Sequence, residues 1–228
     1  MSKRTVSEMC PKSNDVLSKV REMRLASPKA PTRRDAAVPH RFSERRHVES
    51  SSIIIPCHSS ERRDYIPFGY LGSDVVVSNA ALAIYGAEPW VFGLISSQMH
   101  MSWVRAVAGR LEERIRYSNT ICYNNFPLPD LSAAQTKELN RLGEAVLMAR
   151  EHHHEKTIAQ LYDPDTMPAE LLAAHRALDV GVEQCYRTKP FTSDEERLEY
   201  LFALYEQMTA AEQGDLLTPT PKKKGGRK

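Results

Sequence analysis

No stretch of this 228-residue chain reaches eighteen consecutive apolar residues, the length that a membrane-crossing helix needs. The sequence therefore predicts no span and no membrane partner. Its first residues carry charge without the apolar core of a secretory signal, so the expected location is the cytoplasm. Cysteine is sparse: Cys10, Cys57, Cys122 and Cys185 lie far apart and form no CxxC pair. That argues against a zinc knuckle and for free thiols in a reducing compartment. The common catalytic signatures are missing as well. There is no Walker loop, no GxGxxG, no GxSxG and no HExxH, which removes the readiest enzyme classes. Net charge is only +2, but 41% of the residues are apolar. That is enough to bury the core of one ordinary domain or of two small ones.

What charge there is lies unevenly. Residues 1–49 hold twelve Lys/Arg against six Asp/Glu, and residues 50–130 hold six against seven. Residues 131–221 hold eight against sixteen, and the tail 222–228 has five basic residues and no acid. An anionic partner should meet the first half of the chain rather than the acidic second half. The commoner fate of any single charge run is a solvated surface. Residues 28–47 concentrate the basic character, with Arg33, Arg34, Arg41, Arg45 and Arg46 among three prolines. Each proline disfavours helix at the residue before it, so the expectation is an extended basic segment.

Apolar periodicity outlines the rest. Residues 1–19 are weakly patterned, and Lys19–Leu25 reads as a short helix. Ser52–Cys57 has the β-branched run of a strand, His58–Asp64 is a polar loop, and Tyr65–Tyr70 returns as a second strand. Asp74–Ser78 and Ala81–Tyr85 read as two more. From Pro89, apolar rows continue through Val107, Ala108 and Leu111, which predicts a buried helix ending in a crowd of arginines. A strand over Asn119–Phe126 should follow, and Pro127 and Pro129 break any continuation. Residues 20–130 thus read as a small α+β domain. Residues 131–213 read as an all-α helical bundle. Ser132 caps its first helix, and Leu139, Leu142, Val146 and Ala149 form one face. Pro168 opens the next helix, with Leu171, His175, Leu178, Val182 and Cys185 turned inward. Ser193–Glu196 has the spacing of a capping box, followed by the stripe Leu198, Leu201, Phe202, Tyr205 and Met208. Residues 214–228 read as a flexible basic tail.

Few residues tempt a catalytic reading. His152, His153 and His154 are consecutive, so on a helix they point apart, and a solvated helix end outweighs a metal site. His100 lies inside an apolar helix and reads as a hydrogen-bonded core histidine. Cys57 and His58 are adjacent rather than facing, and Asp163 and Asp165 flank a proline turn.

Three segments together carry a family likeness. They are Val20–Ser27 with His40–Phe42, Ser59–Arg63 with Ile66 and Pro67, and the stretch from Trp90 to Asp130. They resemble the C-terminal part of MmeI-like restriction–modification enzymes, the single-chain type IIL (type IIG) adenine-N6 DNA methyltransferases of bacteria. Leu161–Pro168 and Lys189–Arg197 are similar to that family's C-terminal helical domain. The resemblance covers about residues 15–210. It implies a target recognition domain over 20–130, a C-terminal helical domain over 131–213, and double-stranded DNA as partner. The family's S-adenosylmethionine loop and Asn-Pro-Pro-Tyr motif do not occur in this chain. No cofactor is therefore expected here: S-adenosylmethionine would sit in the missing methyltransferase domain, and a methyltransferase/nuclease half acting in cis or in trans is an expected partner. A truncated gene, a split subunit or a misplaced start would each fit.

Arginine forks suit both phosphates and guanine edges, and a carboxylate can accept from cytosine. The expected DNA contacts are therefore Ser59, Ser60, Glu61, Arg62 and Arg63, together with the five arginines of the basic segment. Arg105, Arg110 and Arg116 form a further set. The competing reading is a degenerate remnant, or an interaction bundle without DNA specificity.

Overall fold

The computed structural model describes the backbone of residues 11–217 and the side chains of residues 14–211. The basic residues of the tail lie outside the described residues, as do residues 1–10. The chain divides into two compact units, one up to His47 and one from Val48 onward.

In the first unit, α1 spans Pro11–Leu25, α2 spans Ala30–Arg34, and a 3-10 turn follows over Asp35–Ala37. Helix thus begins well before the expected Lys19 and stops ahead of Ser27 and Pro28. The segment 28–47 is not extended throughout. Pro31 sits in the first turn of α2, where its missing N–H costs no hydrogen bond. Arg24 then clasps the returning chain, donating from Nη1 to the carbonyls of Asp35 (2.9 Å) and Val38 (3.1 Å) and from Nη2 to that of Arg41 (2.7 Å).

The second unit is mixed α and β. Strand β1 (Ser52–Pro56) is the centre of an antiparallel sheet, flanked by β3 (Gly69–Leu71) and β4 (Ala81–Tyr85). Ile53 and Ile55 face the core and are buried. Pro67 has no N–H to give a ladder, and the expected strand over Tyr65–Tyr70 shrinks to β3. Asp74–Ser78 forms no strand.

The expected central helix is two helices and a hairpin. Helix α3 (Pro89–Ile95) stops at two serines, and α4 (Gln98–Val107) restarts behind them. Ser97 donates its hydroxyl to the Leu94 carbonyl (2.7 Å) and accepts from the His100 N–H. Serine competes with the helical backbone in this way and makes a good N-cap. Beyond Ala108 the chain turns into β5 (Gly109–Leu111) and β6 (Arg114–Arg116). Leu111, expected on the helix's apolar row, is exposed on β5. A second antiparallel sheet has the order β2-β6-β5, with β2 formed by His58–Ser59. Asn119–Tyr123 is a π-helical turn rather than a strand. Its Ser118 and Thr120 hydroxyls bond to each other (2.9 Å), and the Cys122 N–H donates to the Ser118 carbonyl (2.7 Å).

Helices α5 (Ala133–Glu151), α6 (Ile158–Leu161), α7 (Ala169–Tyr186) and α8 (Asp194–Leu217) complete the unit. Ser132 and Gln135 form a full capping box at α5. At α8 the Glu196 N–H donates to Ser193 Oγ, but the Glu196 carboxylate accepts from the N–H of Thr192, one residue earlier than expected. Leu201 is buried on α8, while Phe202 and Met208 are exposed, so its apolar stripe is only partly covered. Cys185 is half-buried.

Residues on either side of Pro129 share one core. Helix α3 packs on α5 and α7, and α4 packs on α8. The α3–α5 crossing is tight because Gly93 and Gly143 meet there. A Cβ on Gly143 would lie 3.0 Å from the Pro89 carbonyl. Buried polar links cross the same boundary. Arg150 donates to the Phe68 carbonyl and to the Tyr162 hydroxyl, and its guanidinium lies over the Phe92 and Tyr162 rings. Tyr162 in turn bonds His175 Nε2 at 2.9 Å. His100 is fully buried and bonds the Tyr117 hydroxyl at 2.9 Å.

Candidate nucleic-acid interface

The second sheet joins two arginine-bearing stretches, the one leading into the Ser59–Arg63 segment and the one from Arg105 to Arg116. Register pairs His58 with Arg116 and Ser59 with Ile115, while Gly109, Arg110 and Leu111 face Arg116, Ile115 and Arg114. Cross-strand partners share a face, and faces alternate along a strand. One face is therefore Ser59, Ile115 and Arg110, and the other is His58, Arg116, Gly109, Arg114 and Leu111. Ile115 and Ser59 are buried, which plants the first face on the core. All five residues of the second face are exposed, and Arg114, Arg116 and His58 make it basic. At the hairpin tip Glu112 has φ 57°, a left-handed conformation that costs a non-glycine residue energy. Its carboxylate pairs with Arg114 at 2.9 Å.

Strand β2 runs directly into the Ser60–Asp64 loop, so the loop emerges beside this basic face. The loop is ordered from within. The Arg63 N–H donates to the Ser60 carbonyl (3.3 Å), and the Arg62 N–H to Ser60 Oγ (3.3 Å). Glu61 and Arg62 are exposed, and Arg63 is half-buried. Arg62 pairs with Asp165 at 2.6 Å. Both side chains are mostly solvated, so the pair is weak and an anion can compete for the guanidinium.

Two expected contacts have other positions. Ser59 is no loop residue but a buried strand residue, 3% exposed, because β2 pairs with β6. Arg105 is no free cation. It donates to Asp194 (3.2 Å) and to the Arg63 carbonyl (3.3 Å), and its charge lies 3.9 Å from Asp64. Arg110 is exposed at the rim of the core face and donates to the Arg105 carbonyl at 3.3 Å. Arg116 is on the solvent face as a contact requires. In the first unit Arg33 donates to the carbonyls of Ser27 and Pro28. Arg46 pairs with Glu44 at 3.1 Å, Arg41 bonds His40, and Arg34 and Arg45 are exposed.

Sequence reasoning left out Arg114 and His58. The alternation Arg114-Ile115-Arg116 was the available signal, since period two belongs to a half-buried strand. Within the histidine run, His152 pairs with Glu170 at 2.8 Å, and no group of three or more His, Cys, Asp or Glu placed to hold a metal occurs among the described residues.

A basic sheet face and an ordered loop, buttressed from behind by helices, make this chain a surface-presenting module. The MmeI target recognition domain matches residues 2–130 and the MmeI C-terminal domain matches residues 131–212. The chain belongs to the MmeI family. It is 47% identical over 180 residues to DNA methyltransferase A of Bacillus subtilis (strain 168), a match covering 78% of this chain and 20% of that protein. It is also similar to the solved type IIL restriction–modification enzyme MmeI in complex with DNA. That match has a TM-score of 0.80 and 41% identity over 87% of this chain and 26% of the other. The chain thus spans only a fifth to a quarter of these relatives. No helix among the described residues is long and apolar enough to cross a membrane.

Proposed function

We propose that this chain is the DNA sequence-recognition module of a type II restriction–modification, adenine-specific DNA methyltransferase. One observation carries the reading: the basic face of Arg114, Arg116 and His58 adjoins a loop whose Glu61, Arg62 and Arg63 are anchored in sequence at a strand. A sheet face of this kind meets phosphates, and a fixed loop beside it can read base edges in the major groove. The family match and the DNA complex of the MmeI structure support it. Methyl transfer belongs to a methyltransferase part acting in cis or in trans. All strand pairings among the described residues are antiparallel, and a parallel βαβ crevice is the usual cradle for a nucleoside cofactor. The absence of such a crevice among the described residues supports placing S-adenosylmethionine in the methyltransferase part rather than on this chain.

The test is duplex binding by the full chain over a salt series. Contact with about four to six phosphates gives a slope of about −4 to −5 in log K against log salt, and loss of one contact flattens it by about one. Arg114→Ala and Arg116→Ala should each do so. Duplex binding that ignores both salt and these two substitutions refutes the reading.

A further inference from the structure

We infer that carboxylates of the acidic C-terminal helices hold the recognition loop in its reading pose, with Asp179 and Asp194 as positioning residues for base discrimination. The inference rests on the reading of the loop proposed above.

The loop's own bonds, two turn contacts to Ser60, are too few to define where Glu61 and Arg63 point. Beyond these and the solvated Arg62–Asp165 pair, the constraints come from α4, α7 and α8. Asp179 on α7 is buried and accepts from the Tyr65 hydroxyl (2.6 Å) and from the Gln98 N–H (2.7 Å). Gln98 then donates from Nε2 to the Asp64 carbonyl at 3.0 Å. Asp194 on α8 accepts from Ser102 (2.9 Å), Arg105 (3.2 Å) and Arg197 (3.0 Å), and Arg105 reaches on to the Arg63 carbonyl. Arg197 is itself braced by Glu183 at 2.6 Å. Two carboxylates thus hold the Arg63 carbonyl through Arg105, the Asp64 carbonyl through Gln98, and the Tyr65 hydroxyl directly. The C-terminal end of the loop is thus held from behind, while the Glu61 and Arg62 side chains remain exposed. Base readout needs side chains fixed to about half an ångström by a supporting shell, and this shell is supplied across the family's domain boundary at residue 130. Arg105, expected to meet DNA, instead transmits the pose.

The experiment presents the full chain with a randomised duplex library and scores base preference at each position, with circular dichroism confirming the fold. Asp194→Asn and Tyr65→Phe are made alongside Arg63→Ala, which marks the positions that the loop reads. Tyr65→Phe keeps the ring in place, so that a misfolded Asp194 variant would not end the test. Both positioning variants should lower discrimination about tenfold at the positions that Arg63→Ala affects, with the salt slope unchanged. Asp194→Glu should restore part of it. Variants that keep wild-type discrimination, or that weaken all sequences alike with a flatter salt slope, overturn the inference and leave the recognition reading standing. A wild-type chain that enriches no motif overturns both.

Discussion

Tyr65→Phe tests the buried contact at the centre of this arrangement. It deletes one oxygen, the donor to Asp179 at 2.6 Å. The ring keeps its stacking on His175, with centroids 4.1 Å apart, so packing loss is small. Asp179 is 9% exposed, and water cannot readily replace the lost donor. A hydrogen bond to a charged group is worth about 1.5–3 kcal/mol, so a loss of about 2 kcal/mol is expected where Asp179 is ionised. Burial pushes the Asp179 carboxyl up to about 6, and Glu183 adds to the rise. The Tyr65 hydroxyl, the Gln98 N–H and Arg197 oppose it. Between its ordinary value and about 6 the folded chain therefore binds more protons than the unfolded one. This group's contribution to stability falls as pH rises through that window and is level above it. Removing the hydroxyl raises the folded value further, so the variant goes on losing stability past pH 6. Urea unfolding at about pH 5 and pH 8 should show a small difference from wild type at the lower pH and the full loss of about 2 kcal/mol at the higher. An equal difference at both, or none, refutes the assignment of Asp179 as the ionised acceptor.

Gly143→Ala sets a Cβ 3.0 Å from the Pro89 carbonyl, and unfolding should show about 1–3 kcal/mol lost to overpacking. Burial holds His100 and His175 down to about 3. Their unfolded forms bind protons first as pH drops below about 6.5, so each should remove about 1.4 kcal/mol per pH unit. His175→Gln should make acid unfolding measured by circular dichroism visibly shallower. Glu112→Gly relieves a left-handed residue at φ 57°, and a melting curve should show a gain of up to about 1 kcal/mol, reduced by the lost pair with Arg114.

What the sequence determined by itself was local, or was carried by long runs of residues. The family likeness was legible in segments such as Trp90–Asp130, and it holds over both matched domains. The mixed α/β part followed by helices was legible too, as were β1, β4 and the Ser132 cap. Each depends on residue type and short spacing, as do the buried faces Leu139–Ala149 and Leu171–Val182. The tertiary structure decided what depends on partners far along the chain. Apolar residues at Leu94, Met101 and Val104 satisfy a helical period whether or not the helix is continuous. Only the Ser97 hydroxyl at the break and the pairing of β6 with β2 split that stretch into two helices and a hairpin. That pairing buried Ser59, turned Arg114, Arg116 and His58 to solvent, and put Arg110 on the other face. Likewise no spacing rule ties Arg105 to Asp194, or Tyr65 to Asp179 on a helix 114 positions later. Such contacts exist because a shared core brings α4 and the loop against α7 and α8, and polar groups buried there must find partners in one another rather than in water.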